Sequence, residues 1–434
     1  MGIYQIELET MNRAELEKMQ LKKLQNMINY CLSHSSFYRR KLKDVGIDSG
    51  FCVQKLEELQ KIPYTTKEEL RDQYPTGLLS VPMDMVARIH ASSGTTGKPT
   101  VGYYTKKDLD IWADAAARVL VQNGLDAQDI IQISVGYGLF TGAMGFHQGA
   151  EKIGCTIIPA STGNTEKQIV MMHDLGVTVL MATPSYASHL AERIVSTGKR
   201  KEFKLKRILF GAERCSAATR RMIEDSLQVE TADNYGMTEF FGPGVAGECS
   251  EKSGLHITED IFYPEIIDPD TGKVLPDNTV GELVLTSLER EAMPLLRYRT
   301  RDLTSIDHTP CSCGRTTARI QAPKGRTDDM FVFKGINVFP SQIETAMSHV
   351  KGLSPHYRIT LNRDEAFQDS ALLEVELTEP SMSIEMKQRI KADFEHWLRE
   401  IVIVRISIKL CEPGTLERFV GKSRRVYDYR YLQE

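Results

Sequence analysis

The sequence predicts an α/β protein: a large N-terminal domain with α/β sheets and a small β-subdomain, followed by a small α+β C-terminal domain. Three observations carry this. From about residue 86 onward, short apolar runs alternate with helical stretches. Between Phe262 and Asp302 the pattern becomes strand-rich, and after Asp328 a separate pattern of helices and strands begins. A chain of 434 residues also exceeds what one hydrophobic core usually serves, so two or three domains are expected.

Within Glu15–Ser33, Leu16, Met19, Leu21, Leu24, Met27 and Ile28 recur at helical spacing, which predicts a packing helix. Ile130–Val135, Thr156–Pro159, Val177–Ala182 and Arg207–Phe210 read as strands. Lys107–Gln122, Glu166–His173 and Ala217–Leu227 read as helices. In a sheet of this kind ligands gather at the carboxyl ends of strands. Turn signals at Asp268–Gly272 and at Pro276, Asp277 and Asn278 divide the β-subdomain. The C-terminal domain is expected to hold a helix at Ser341–His349, a strand at Ala371–Leu377, a long helix near Ser383–Glu400 and a strand at Val402–Leu410. No internal repeat or low-complexity tract interrupts the pattern.

Charge is nearly balanced, with 54 basic and 58 acidic residues, which gives no electrostatic reason to expect a nucleic acid partner. No uninterrupted apolar run approaches the length of a membrane span. The N-terminus is charged and lacks an apolar signal core, and Ile6 stands where a myristoylation signal needs a hydroxyl. A soluble cytoplasmic protein is expected, with no membrane partner. A homodimer is left open.

Eight scattered cysteines argue for reduced thiols over a disulfide framework. Cys31, Cys155 and Cys411 sit in apolar stretches as core fillers. Cys311 and Cys313 instead flank Ser312 in a polar turn beside Gly314. Two ligands do not close a tetrahedral site, but Cys249 and His256, seven positions apart, would complete a set of three cysteines and one histidine. From spacing alone, ordinary loop cysteines and a solvated histidine remain the alternative.

The run Ser92, Ser93, Gly94, Thr95, Thr96, Gly97, Lys98 and Pro99 places four hydroxyls, two glycines and one ammonium within eight residues. Glycines let backbone N–H groups close around phosphate oxygens, hydroxyls add donors, and Lys98 adds a charge. A Walker A loop needs a glycine six residues before its lysine and a hydroxyl after it. Ser92 and Pro99 occupy those positions, which disfavours a P-loop kinase or GTPase.

Ala91–Tyr104 closely resembles the phosphate loop of the phenylacetate–coenzyme A ligase family, within the acyl-adenylate-forming enzymes. The resemblance continues in the family's order through Tyr137–Gly142, Gly211–Glu213, Asp233–Glu239, Tyr298–Asp302, Gly325–Asp329 and Gly421–Lys422. Near the start, Ser36–Arg39 and Ile62–Pro82 also agree, so it covers nearly the whole chain.

The resemblance implies an ATP-dependent aryl-acetate coenzyme A ligase that forms an acyl-adenylate and releases AMP and pyrophosphate. It assigns Lys98 and its hydroxyl neighbours to the triphosphate, Thr238 to the α-phosphate region and Glu239 to Mg2+. Tyr235 would stack on adenine, with Asp233, Asn234, Gly236, Met237, Gly211, Ala212 and Glu213 around the nucleotide. Asp302 would accept hydrogen bonds from the ribose hydroxyls, with Arg326 nearby. Lys422 would be the catalytic lysine of adenylation. The proline commonly found just upstream is missing, and Leu416, Glu417, Arg418 and Phe419 occupy that stretch. Asp328 matches a hinge on which the C-terminal domain, residues 328–434, swings against residues 1–327. Lys334 and Gly335 would then enter the site with coenzyme A. Tyr137, Phe140, Ala212, Phe240, Phe241 and Pro243 would make an aromatic-sized lining for a small aromatic carboxylic acid. Some family members carry a Cys/His zinc site, so structural Zn2+ is expected at Cys249, His256, Cys311 and Cys313.

The chemistry explains the parts. A carboxylate is a poor acyl donor, and attack on the α-phosphorus of ATP replaces its oxide with a stable leaving group. The barrier is a meeting of anions, so cations and oriented donors supply the catalysis. Alternatives are an adenylating enzyme for another small acid or for a carrier-protein acceptor, and an inactive nucleotide-binding sensor. The presence of Lys98, Glu239, Asp302 and Lys422 together argues against the sensor.

Overall fold

Val179–Ala182 and Arg207–Phe210, apolar almost throughout, lie parallel in the interior of the larger sheet, as strands covered on both faces must. The computed structural model describes residues 2–92, 99–327, 331–333, 336–363, 369–402, 405–418 and 425–430. Two units emerge. The first comprises Met1–Ala182, Lys201–Ala212 and Glu230–Pro323, and the second Thr183–Arg200, Glu213–Val229 and Lys324–Glu434.

In the first unit a nine-stranded sheet runs in the order Thr156–Ile158, Ile130–Ile133, Val179–Ala182, Arg207–Phe210, Glu230–Met237, Gly242–Glu248, Leu255–Ile257, Arg319–Ile320 and Ile306–Asp307. Pairing is parallel as far as Glu230–Met237 and antiparallel beyond it. The α/β sheet is thus a mixed one, parallel in one half and antiparallel in the other. A second sheet of the same unit pairs Phe262–Ile267 with Gly281–Ser287, and that strand with Tyr298–Thr304, all antiparallel. Its first turn is built as the sequence suggests, with Thr271 N–H donating to Asp268 Oδ1 at 2.7 Å. Arg88–Ala91 pairs with Val101–Tyr104 as a hairpin.

Helices cover these sheets. The N-terminal helix runs Arg13–His34, started by Asn12, whose side chain accepts from Glu15 N–H at 3.0 Å. Lys106–Gln122 is capped by a reciprocal Thr105–Asp108 pair and buries Trp112 completely. Thr141–Ile153 was not legible in the sequence, because Gly142, Gly145 and Gly149 lower its helix propensity. Among the described residues, no helix is long and apolar enough to cross a membrane.

In the second unit Leu353–Arg363 and Asp369–Leu377 pair antiparallel. Ser407–Cys411 adds parallel to Asp369–Leu377, and Val426–Asp428 adds parallel to Leu353–Arg363. Helices Pro340–Ser348 and Ile384–Val402 contribute Ile343, Ala346, Phe394 and Leu398 to one core with Ile359, Leu361, Leu373 and Val375. Helices Pro184–Ser196 and Ala217–Leu227 belong to this unit. The strand expected at Val402–Leu410 is corrected. Val402 ends the long helix with its side chain buried, and the strand is Ser407–Cys411. The 11-residue strand Leu353–Arg363 escaped sequence reading because Pro355 and polar residues interrupt its alternation.

Between Tyr235 and Gly236 the pairing register shifts, and a Cβ at Gly236 would lie 1.9 Å from the Gly242 carbonyl oxygen. The turn between the two strands closes only around glycine. Gly236→Ala is expected to lower the apparent Tm by about 5 °C or more, because the obstacle is backbone. A melt within about 1 °C of the parent would contradict this reading.

Candidate active site

The site grows from the strand where pairing changes direction. On Glu230–Met237, Asp233 and Asn234 are buried polar residues. Asp233 Oδ1 accepts the Asn234 N–H at 2.9 Å, and Glu248 Oε2 accepts the Asp233 N–H at 3.1 Å. Asn234 Nδ2 donates to the Phe210 carbonyl at 3.1 Å, tying the carboxyl ends of two parallel strands. Asn234 Oδ1 is buried with no hydrogen-bond partner among the described residues. A buried acceptor left so costs about 1–3 kcal/mol, and functional sites are where such a cost is tolerated.

The chain then turns through Thr238–Phe240, and three side chains from elsewhere hold the turn. Tyr104 donates to the Thr238 carbonyl at 3.0 Å. Arg290 lies 4.9 Å from the Tyr104 ring and 5.0 Å from the Phe241 ring and donates to the Glu239 carbonyl. Tyr298 donates to Glu239 Oε1 at 3.2 Å. The second Glu239 oxygen has no hydrogen bond among the described residues, so this buried carboxylate can offer it to a hard cation.

Strand Tyr298–Thr304 alternates, burying Tyr298, Thr300, Asp302 and Thr304 on one face. Asp302 accepts from the Tyr235 hydroxyl at 2.5 Å, and its own N–H donates to Thr300 Oγ1 at 3.1 Å. An aromatic face, a carboxylate fastened to that aromatic and a buried amide oxygen therefore stand on two strands. Together they offer a surface for a flat heterocycle and acceptors for hydroxyl or amine donors.

Tyr137 is half-buried, with its hydroxyl 3.0 Å from His147 Nδ1. Burial first, then the Glu151 charge, holds its phenol well above the usual range, so it stays neutral. Phe140 is 46 % exposed. Phe240 and Phe241 are 0 % exposed, each ring 5.8 Å from that of Phe262. Pro243 is buried, its carbonyl accepting from Trp112 Nε1 at 2.8 Å. Ala212, two residues beyond strand Arg207–Phe210, stands in the left-handed region at φ 69°, a conformation costly for a residue with a Cβ.

Cys249, His256, Cys311 and Cys313 converge from three segments, with their ligand atoms all within 4.8 Å of one another. Cys249 and Cys311 sulfurs are 3.8 Å apart, and Cys313 Sγ is 3.5 Å from His256 Nε2. A tetrahedral ion with bonds of about 2.3 Å to sulfur and about 2.0–2.1 Å to nitrogen requires edges of about 3.8 and 3.5 Å. His256 Nδ1 faces the Thr317 carbonyl at 3.1 Å, which fixes the tautomer that leaves Nε2 free as a ligand. Arg315 donates to Cys313 Sγ at 3.6 Å and forms a fully buried ion pair with Glu9 at 2.6 Å. The N-terminal segment is thereby joined to the cluster.

Comparison with known proteins decides what these parts belong to. The AMP-binding enzyme model matches residues 33–288, and the AMP-binding enzyme C-terminal domain model matches residues 335–430. A phenylacetate-coenzyme A ligase of Thermus thermophilus is 43% identical over 446 residues, covering 99% of this chain and 100% of that protein. The phenylacetate-coenzyme A ligase of Escherichia coli K12 is 42% identical over 430 residues, 98% of this chain and 97% of that one. The chain belongs to the phenylacetate-coenzyme A ligase family of AMP-binding enzymes. A crystal structure of 2-hydroxyisobutyryl-CoA ligase with 2-HIB-AMP, in the postadenylation state, superposes with a TM-score of 0.90 at 28% identity, covering 98% of this chain and 92% of that one.

As a member of this family the chain is an ATP-dependent ligase that joins an acid to coenzyme A through an acyl-adenylate. Of the residues this ligase was expected to use, the structure brings Tyr235 to Asp302 and sets Asn234, Thr238 and Glu239 on the same turn and strand. Glu213 lies in the second unit, accepting from Ser185 Oγ at 2.7 Å, and Arg326 is a half-buried residue of the same unit. Ser93–Lys98, Asp328, Lys334, Gly335 and Lys422 lie outside the described residues. Sequence reading missed Arg290, Tyr104 and the role of Tyr298. Arg290 and Tyr104 work by gripping backbone carbonyls far away in sequence, which leaves no local pattern.

Proposed function

We propose that this ligase takes an arylacetate, with phenylacetate first among them, and that its physiological product is the corresponding acyl-coenzyme A. The observation that carries the reading is near-full-length identity of 43% to a protein named phenylacetate-coenzyme A ligase. The half-buried Tyr137 and the exposed Phe140, flanking Gly138 and Leu139, support an aromatic acid. Specificity constants measured by pyrophosphate release should be highest for phenylacetate or a close arylacetate, with acetate and long fatty acids far behind. Equal turnover of acetate would sink the aryl reading.

In this reading a carboxylate oxygen attacks the α-phosphorus, the bond to the β-phosphate oxygen breaks, and pyrophosphate leaves. Coenzyme A thiolate then attacks the acyl carbon and AMP departs. Lys98 and Ser92–Thr96 hold the triphosphate, Asp302 the ribose, and Tyr235 with Asn234 the adenine. Glu239 is the chain's ligand for Mg2+, which when bound neutralises phosphate charge; support comes from its buried carboxylate with one oxygen uncommitted. Residues 328–434 form the moving domain, with the hinge at Asp328 and coenzyme A meeting Lys334 and Gly335. The enzyme works in the cytoplasm, in keeping with cysteines that form no disulfide among the described residues.

Lys422 supplies the cation at the meeting of carboxylate and α-phosphate. Lys422→Ala should lose acid-dependent pyrophosphate exchange by about a hundred- to a thousandfold, yet still make thioester from synthetic acyl-adenylate. Asp328→Pro should do the reverse. Equal loss of both half-reactions in both variants, with folding intact, would overturn domain alternation.

Structural Zn2+ at Cys249, His256, Cys311 and Cys313 completes the reading, supported by spacings that suit a tetrahedral ion. Elemental analysis of protein purified without chelator should find about one zinc per chain. Serine at both Cys311 and Cys313 should remove the metal and lower Tm while sparing the chemistry. Metal-free fresh protein would refute the site.

A further inference from the structure

Glu376 lies on strand Asp369–Leu377 at 0 % exposure, yet it is a carboxylate. Four donors converge on it, all from one short stretch of chain. Its Oε1 accepts the Leu416 N–H at 2.6 Å and Arg418 Nη1 at 3.0 Å. Its Oε2 accepts the Gly414 N–H at 3.2 Å and Arg418 Nη2 at 2.8 Å. The guanidinium is thus held by both oxygens, the geometry that fixes orientation as well as distance. Burial alone would push the Glu376 carboxyl up, but the Arg418 and backbone donors outweigh it and hold it below the usual range.

The stretch from Glu412 to Arg418 belongs to no helix or strand, so these bonds take the place of ladder hydrogen bonds in fixing its path. Arg418 Nε also faces Glu192 Oε2, 3.8 Å away, whose other oxygen is 3.2 Å from His356 Nε2. The chain is fastened again at Arg425. Its carbonyl accepts the Ile359 N–H at 2.8 Å, its guanidinium lies 4.8 Å from the Tyr357 ring, and Val426 begins pairing with Ile359. The two fastenings bracket residues 419–424, which lie outside the described residues and include Lys422.

A buried ion pair is a poor way to gain stability, since apolar residues of the same volume commonly serve as well or better. Its advantage is a defined geometry. We infer that Glu376 and Arg418 are positioning residues for adenylation, a clamp that sets the chain entering the Lys422 segment so that the lysine reaches the reacting anions. The inference rests on the reading of Lys422 as the adenylation lysine. A misplacement of about 1 Å in such a group commonly costs about a hundredfold.

The test separates the clamp from mere structure. Arg418→Ala and Glu376→Gln, each checked for folding by thermal melting, should lose about a hundredfold in kcat for acid-dependent pyrophosphate exchange, with KM for ATP and acid little changed. Both should make thioester from synthetic acyl-adenylate at near the parental rate, and Arg418→Lys should recover part of the exchange. In a Lys422→Ala background, Arg418→Ala should cost nothing more, because the group it positions is gone. Parental exchange in folded Arg418→Ala would overturn the clamp. So would equal loss of both half-reactions, or a further loss on top of Lys422→Ala. If Lys422→Ala itself exchanged at the parental rate, the lysine assignment would fail and the clamp with it.

Discussion

The Arg290 guanidinium is the contact on which the first unit's site depends. It sits against the faces of Tyr104 and Phe241 and donates to the carbonyl of Glu239. One buried cation therefore ties the hairpin Arg88–Ala91/Val101–Tyr104, whose strands flank the glycine- and hydroxyl-rich run, to the turn that carries Thr238 and Glu239. Tyr104 adds a second tie through the Thr238 carbonyl. The ring faces offer attraction to the cation without a counter-charge.

Much of this was legible in the sequence. The strands Arg207–Phe210 and Val179–Ala182 are apolar because they are covered on both faces, and that alone identified them. The order of motifs was legible because nucleotide chemistry requires particular residue types at turns. The Cys/His set was legible as ligand types, but its convergence from Cys249, His256 and the Cys311–Cys313 turn depends on how Leu255–Ile257 pairs with Arg319–Ile320. No local spacing encodes that pairing. Arg290 was illegible for a similar reason: its partners are ring faces and the carbonyls of Glu239 and Tyr103. Leu353–Arg363 hid behind Pro355, and Thr141–Ile153 behind its glycines. Phe240 and Phe241 lie in the core with Phe262, and an apolar residue after a motif does not reveal whether it faces core or ligand.

Glu9 with Arg315 and Glu376 with Arg418 use the same device in the two units. Each buries a carboxylate and lets an arginine and backbone N–H groups of irregular chain converge on it. Irregular backbone cannot satisfy its own donors, and a buried carboxylate cannot remain unpaired, so each need answers the other. The device sets the course of chain where no helix or strand can.

The nine-stranded sheet ends, on one side, in the three residues Thr156–Ile158 and, on the other, in the two residues Ile306–Asp307. A strand of that length exposes only one or two unpaired backbone groups along its outer rim, too few to template a neighbouring chain. The sheet therefore tapers to both margins, and its long, hydrophobic members are enclosed by their own neighbours. A margin so short leaves this sheet little unpaired edge on which a second chain could pair.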